Sequence, residues 1–182
     1  MINHYLIRHT KPKIEPGICY GQTDIELNPN FEKEFSFIKA NLPKTGIAVY
    51  TSPLERCLKL AHHLSHSISI DARLKEINFG EWELKRWDDI PKEEINPWYG
   101  DYVNVCPPKG ESFKQLYDRV KDFYDSVLIK QNSSSIIVAH AGPIRILKGI
   151  SQNKNLHDIL KIKVPFGEVL TLSVGPDHEL RL

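Results

Sequence analysis

Two apolar runs far apart in the chain each stop on a histidine: Tyr5-Leu6-Ile7-Arg8-His9 near the start, and Ile136-Ile137-Val138-Ala139-His140 in the last third. Short continuous apolar runs bounded by breakers read as strands buried on both faces, the pattern of a parallel sheet covered by helices on either side. Each run is closed by its next residues. Lys11-Pro12-Lys13-Ile14-Glu15-Pro16-Gly17 is too rich in breakers to continue a strand, and Ala141-Gly142-Pro143 turns the chain after the second histidine. In open α/β sheets ligands bind at the carboxyl ends of strands. A fold that sets these two runs side by side therefore places His9 and His140 in one site.

The remaining pattern alternates. Phe31, Phe35 and Ile38 lie at near-helical spacing after Asn28-Pro29, which predicts a helix of about three turns ending near Pro43. Ile47-Ala48-Val49-Tyr50 reads as a buried strand. Ser52-Pro53-Leu54-Glu55 predicts a helix start with serine as N-cap, proline at the first helical position and glutamate completing a capping box. Leu54, Cys57, Leu58, Ala61 and Leu64 then form its apolar face. Arg56, about 200° round the helix from Leu54, falls off that face in the first turn, so it is expected not to be packed away. Ser67–Ile70 is a further strand candidate. From about 80 to Pro108 the chain reads as irregular and aromatic, with Trp82, Trp87, Trp98, Tyr99 and Tyr102 spread among four prolines, an insertion that covers something.

Ser112 with Gln115 predicts a capping box, and the apolar spacing from Phe113 to Leu128 makes this the clearest helix in the chain. A helix opened by Pro143 comes after the second histidine. Residues 169–174 and 178–182, joined across Gly175-Pro176-Asp177, look like a terminal hairpin whose edge offers pairing between two copies as a homodimer. The expected architecture is a three-layer α/β/α sandwich with a mostly parallel mixed sheet. It forms one domain over residues 1–182, with an aromatic-rich cap at about 80–110.

A chain of 182 residues buries roughly 70% of its unfolded surface, enough for a core without disulfide or metal. Lys+Arg 24 against Asp+Glu 23 leaves a net charge of +1, which excludes a general field for nucleic acid or an anionic membrane. Any anion must be held by a local cluster. Cys19, Cys57 and Cys106 show no CxxC spacing, so a disulfide framework or zinc ribbon is excluded and a reducing cytoplasm is expected. No apolar run approaches the roughly 20 residues of a membrane span, and the start lacks a signal-peptide pattern. His62, His63 and His66 have no third-ligand spacing and read as a solvated helix face; Cys19 and Cys57 read as inert apolar residues.

Arginine forks bind phosphate oxygens bidentately and stay charged, so Arg8 and Arg56, with Arg145 as a weaker third, are the candidates for a metal-free phosphate site. A histidine attacks phosphorus when its attacking nitrogen is unprotonated, and His9 beside Arg8 is the expected nucleophile. Departure of an alkoxide needs a proton donor opposite. Glu76 is the first choice and Glu81 the second.

Residues 6–10 (LIRHT), 50–61 (YTSPLERCLKLA), 74–83 (LKEINFGEWE), 107–112 (PPKGES) and 136–145 (IIVAHAGPIR) resemble, in order and spacing, the histidine phosphatase superfamily. That family includes cofactor-dependent phosphoglycerate mutases and α-ribazole phosphatases, and the match spans about residues 4–150. The resemblance implies a phosphoglycerate mutase-like fold, with His9 as the phosphorylated nucleophile and Glu76 as the acid. It also implies that Arg8, Arg56, His140 and Ala141 hold the phosphoryl group and that Gln22 and Thr23 reach the substrate phosphate. It implies no metal or organic cofactor. Thr10 and Lys109 stand where the family usually or often has glycine, and residues 8–27 look most like the α-ribazole phosphatase branch.

The expected function takes one of three forms. The first is a cytoplasmic phosphomonoesterase acting on a small phosphorylated metabolite, foremost α-ribazole 5′-phosphate, through phosphohistidine. The second is a phosphoglycerate mutase, for which the chain is short, and the third is a catalytically idle phospholigand-binding protein. An intact nucleophile and acid speak against the last. The aromatic segment reads chiefly as packing, with ring stacking on a ligand as its functional alternative.

Overall fold

The computed structural model describes residues 2–43 and 46–175. Strands β1 (Ile2–Arg8), β2 (Ala48–Thr51), β3 (Ile68–Ile70), β4 (Ser135–Ala139) and β5 (Val169–Val174) form one sheet in the order β3-β2-β4-β1-β5. All neighbours run parallel except β5, which lies antiparallel on β1. The mixed, mostly parallel sheet is as the alternation predicts. The expected second strand of the terminal hairpin, 178–182, lies outside the described residues.

Burial on both faces explains the apolar runs. Leu6 and Ile7 are both fully buried yet belong to different cores, because successive strand residues point to opposite faces. On one face, α1 (Phe31–Ala40) and α2 (Glu55–Leu64) bring Phe35, Ile38, Cys57 and Leu60 against Ile7, Val49, Ile136 and Val138. On the other, α4 (Phe113–Phe123) and α5 (Ala141–Ser151) bring Leu116, Val120, Phe123, Ile144 and Leu147 against Leu6, Ile137 and Leu172. The expected three layers are present. The Ser112–Gln115 capping box forms in both directions, and a π-helical turn at Tyr124–Leu128 ends the long helix.

Three local expectations fail for tertiary reasons. First, α2 begins at Glu55 and the capping box with Ser52 does not form: the Ser52 hydroxyl accepts the Leu54 N–H at 3.3 Å and lies against His140, while Asp24 from a distant loop accepts the Glu55 N–H at 2.9 Å. On that helix Leu60, not Leu58, occupies the core. Second, the segment after residue 80 is not wholly irregular, since α3 spans Lys92–Gly100 with Pro97 inside it. Its Ile95 and Trp98 pack with Trp82, Ile90 and Trp87 into a separate small core, and that packing outweighs the proline. Third, α5 starts at Ala141, two residues before Pro143, and the short helix α6 (Leu156–Ile159) comes after it without a sequence signal strong enough to expect. No helix among the described residues is long and apolar enough to cross a membrane.

Inside the α4–α5 face, on the side of the sheet that Leu6 shares, His4 is fully buried and neither of its ring nitrogens has a hydrogen-bond partner among the described residues. Burial lowers its pKa below 6.5. The unfolded chain therefore binds the proton more readily, so His4 leaves stability intact above about pH 6.5 and erodes it as pH falls below. Replacing His4 with leucine removes an unsatisfied polar group and this acid sensitivity together. Urea unfolding midpoints at about pH 7.5 and about pH 5.5 should fall less for His4→Leu than for the wild type; an equal fall would refute the assignment.

Candidate active site

The site is built by one register. β1 pairs with β4 so that Arg8 faces Ala139, which puts His9 and His140 one residue beyond the carboxyl ends of adjacent parallel strands. The His9 amide donates to the Ala139 carbonyl at 3.1 Å, and the two imidazoles meet edge to face with centroids 5.0 Å apart. β2 ends beside them, so that Ser52 Oγ lies 2.8 Å from His140 Nε2.

His9 Nδ1 lies 2.8 Å from the Thr10 carbonyl oxygen. A carbonyl only accepts, so the proton sits on Nδ1 and Nε2 keeps its lone pair. Only 1% of His9 is exposed, and burial, with the Arg56 and Arg8 charges adding to it, pushes its pKa down to about 3. His140, fully buried, is lowered well below its ordinary value by burial and by His9, Arg56 and Arg8. Both rings are neutral at physiological pH.

Arg8 donates from Nη1 to the Val164 carbonyl at 2.8 Å, and Arg56 from Nη1 to the Thr23 carbonyl at 2.8 Å and from Nη2 to the Gly21 carbonyl. In each, the buried Nε–H has no partner among the described residues. A buried guanidinium N–H without an acceptor is costly, and two of them beside a neutral imidazole make a setting for an oxyanion. The expectation that Arg56 is not packed away is wrong: it is 1% exposed, because the 21–23 loop folds over the first turn of α2. A helical wheel records the angle of a side chain, not what another segment lays upon it.

Glu83 holds that loop. Its carboxylate accepts the amides of Gln22 (2.9 Å), Thr23 (2.6 Å) and Phe79 (3.1 Å), and the Thr23 hydroxyl. Burial alone would raise its pKa, and the hydrogen bonds from Thr23, Gln22 and Phe79 outweigh this and hold it below the usual range. The Gln22 side-chain amide is spent on the Glu76 carbonyl at 3.0 Å. Gln22 and Thr23 thus bond within the protein, and neither side chain lines the cavity next to His9.

Glu76 does line it. Its carboxylate accepts the Ile77 amide at 2.9 Å and the Gly142 amide, at the start of α5, at 3.1 Å. A Cβ on Gly142 would stand 2.3 Å from Glu76 Oε1, so only glycine admits this approach. Arg119 fixes the strap behind, donating to the carbonyls of Arg73, Lys75 and Glu76 while paired with Glu111 at 2.6 Å. Glu81, the second choice for the acid, sits at the surface in a 2.6 Å ion pair with Lys109, away from the cavity. Lys109 itself has φ 57°, the left-handed conformation that glycine, its frequent counterpart in the family, adopts freely.

The cavity holds about 320 Å³. Arg8, His9, Glu76 and Arg145 form a polar corner with Ala141 beside them, and Ile18, Phe79, Trp87, Trp98, Tyr102 and Leu160 make an apolar, largely aromatic wall. Arg145 is held through Nε by the Ile162 carbonyl at 2.9 Å. Trp82, by contrast, is core, with its indole N–H on Glu94 at 2.8 Å. The His62, His63 and His66 trio belongs to no cluster that could hold a metal among the described residues.

The profile of the histidine phosphatase superfamily (branch 1) matches residues 4–180. The chain belongs to that family. It is 31% identical over 152 residues to "Probable phosphoglycerate mutase GpmB" of Escherichia coli O1:K1 / APEC, covering 77% of this chain and 70% of that protein. It is 26% identical over 157 residues to Phosphoserine phosphatase 1 of Hydrogenobacter thermophilus, covering 81% and 74% respectively. In fold it matches the α-ribazole phosphatase of Shigella flexneri with a TM-score of 0.88 at 22% identity, over 96% of this chain and 92% of that one. The expected phosphoglycerate mutase-like architecture is therefore the observed one.

Glu83, Arg119, Tyr20 and Phe166 did not stand out as site residues in the sequence. Glu83 lies within the FGEWE segment, where its place in the motif was the available signal. Arg119 sits on the polar side of α4, indistinguishable there from a solvated charge. Tyr20 lines the cavity beside Arg8, with the Arg56 guanidinium 5.7 Å from its ring, and Phe166 lies past the last recognisable motif.

In imidazole ¹⁵N NMR of the unliganded protein, His9 and His140 should show no titration between about pH 8 and about pH 5; a midpoint near the ordinary histidine value would refute the buried neutral state. Glu83→Gln should lower stability by about 2 kcal/mol in urea unfolding through loss of charge-assisted bonds. An unchanged stability would show that the loop is held by other contacts.

Proposed function

We propose that the chain is a phosphomonoesterase working through phosphohistidine, with α-ribazole 5′-phosphate as its foremost substrate. The observation that carries the substrate reading is the aromatic wall of the cavity that opens on His9. The non-reacting part of the substrate must fill this wall, and a heteroaromatic riboside matches it better than a small polar acid does. In this reading residues from about 80 to 110 cap the site, contributing Trp87, Trp98 and Tyr102 to it. The substrate is a cytoplasmic metabolite.

In the first step the lone pair on His9 Nε2 attacks phosphorus as the P–O bond to the leaving group breaks, and Glu76 in its acid form gives that oxygen its proton. In the second, Glu76 takes a proton from water, the water oxygen bonds phosphorus, and the P–N bond breaks to restore neutral His9 and release phosphate. Arg8 and Arg56, through their unpartnered Nε–H groups, neutralise the charge on the equatorial oxygens in both steps, with His140 against the ring of His9.

Arg145 favours a second reading, phosphoglycerate mutase activity, since it adds a second arginine to the cavity lining and with it a partner for a carboxylate. Phosphate release over a panel of α-ribazole 5′-phosphate, phosphoglycerates, phosphoserine and an aryl phosphate separates the two. Highest kcat/KM for the riboside supports the proposal; isomerisation of phosphoglycerate stimulated by 2,3-bisphosphoglycerate supports the mutase. His9→Ala should abolish release from every member. Glu76→Gln should slow alkyl monoesters by about 10³-fold and the aryl phosphate, whose leaving group needs no proton, far less. Equal slowing of both would remove Glu76 from the acid's role, and loss of activity in Glu81→Gln would transfer it.

A further inference from the structure

After α6 the chain runs as an irregular strap to β5, and three alternate positions of it serve the site. The Ile162 carbonyl holds Arg145, the Val164 carbonyl holds Arg8, and the Phe166 ring lies against the Arg8 guanidinium with its centroid 3.5 Å from Cζ. The same ring packs on His9 at a centroid distance of 5.5 Å. The strap is tied back where it turns: the Gly167 amide donates to the Arg8 carbonyl at 3.1 Å, and Gly167 has φ +68°, a conformation that strains any side chain.

We propose that Phe166 is a positioning residue, whose ring fixes Arg8 in the orientation that presents its unpartnered Nε–H to the phosphoryl group. The inference rests on the phosphohistidine reading of the site. Arg8 has one face on an aromatic ring, one Nη1 contact to a backbone carbonyl, the Tyr20 hydroxyl and the Glu76 carboxylate as neighbours, and a buried Nε–H still open. A guanidinium over a ring face, shielded from water, is held by the ring quadrupole, and the stem that carries it loses its other rotamers. Removing that hold leaves Arg8 a mixture of orientations of which only a fraction binds the anion, and the apparent affinity falls by that fraction. The ring also shields His9 from water on the side it covers.

The test replaces Phe166 with phenylalanines bearing one, two and three fluorines, which weaken the face of the ring while keeping its shape. The probe is inorganic phosphate, measured as a competitive inhibitor of aryl phosphate hydrolysis by the full chain. Affinity for phosphate should fall stepwise with each fluorine, by about tenfold across the series, with Phe166→Tyr close to the wild type and Phe166→Leu at the weak end. Unfolding midpoints of the fluorinated proteins, which keep the packing volume, show whether the fold is retained. A flat series with the fold intact overturns the inference while leaving the phosphohistidine reading standing. Failure of the wild type to hydrolyse aryl phosphate or bind phosphate overturns that reading instead.

Discussion

The parallel pairing of β1 with β4 is the interaction on which the rest depends. A register with Arg8 opposite Ala139 brings two histidines from opposite ends of the chain to ring contact and aims both at the carboxyl edge of the sheet. A slip of one residue would reverse the facing of every side chain in the shorter strand, and the core forbids it, since all five residues of β4 are buried. Hydrophobic burial on both sheet faces is thus what sets the geometry of the chemistry.

The site that results is buried and cationic. Two guanidiniums lie beside imidazoles that burial keeps neutral, and several of their N–H groups are used up on backbone carbonyls of the 21–23 loop and of the strap before β5. Carbonyl dipoles orient the forks without neutralising them, which leaves the charge for an incoming anion. Behind each arginine stands a support from elsewhere: Glu83 under the loop that grips Arg56, Phe166 and Val164 under Arg8. Arg119 does the same for the strap bearing Glu76. Precision at the reacting atoms comes from these contacts, because an arginine alone has too many rotamers to be placed by its own backbone.

The aromatic segment solves a different problem. Trp82, Ile90 and Ile95 give it a small core of its own, so that Trp87 and Trp98 are fixed at the cavity wall and not free to collapse into it. That separation between a packed tryptophan and two lining ones is invisible to periodicity, which registers all three as aromatic residues among prolines. The α3 helix was hidden for the same reason, its Pro97 reading as a breaker although side-chain packing retains it.

The sequence by itself determined the alternation of apolar runs and amphipathic helices, hence the layered parallel sheet, and the motif residues His9, Arg8, Arg56, Glu76 and His140. Each of these signals is local: a strand buried on both sides must be apolar throughout, and a strand that ends on a polar residue shows it. Only the tertiary structure decided which groups support them. Arg56 looked exposed on its helix and is buried by a loop; Ser52 looked like the partner of Glu55 in a capping box and lies against His140; Glu76, already ranked ahead of Glu81 in the sequence, lines the cavity while Glu81 is paired with Lys109 at the surface. Phe166 carried no signal at all, since a phenylalanine in a loop becomes a partner for Arg8 only when the strap has been drawn across the sheet's edge. Contacts between residues more than a hundred positions apart depend on how the chain closes, and no pattern within either segment encodes that closure.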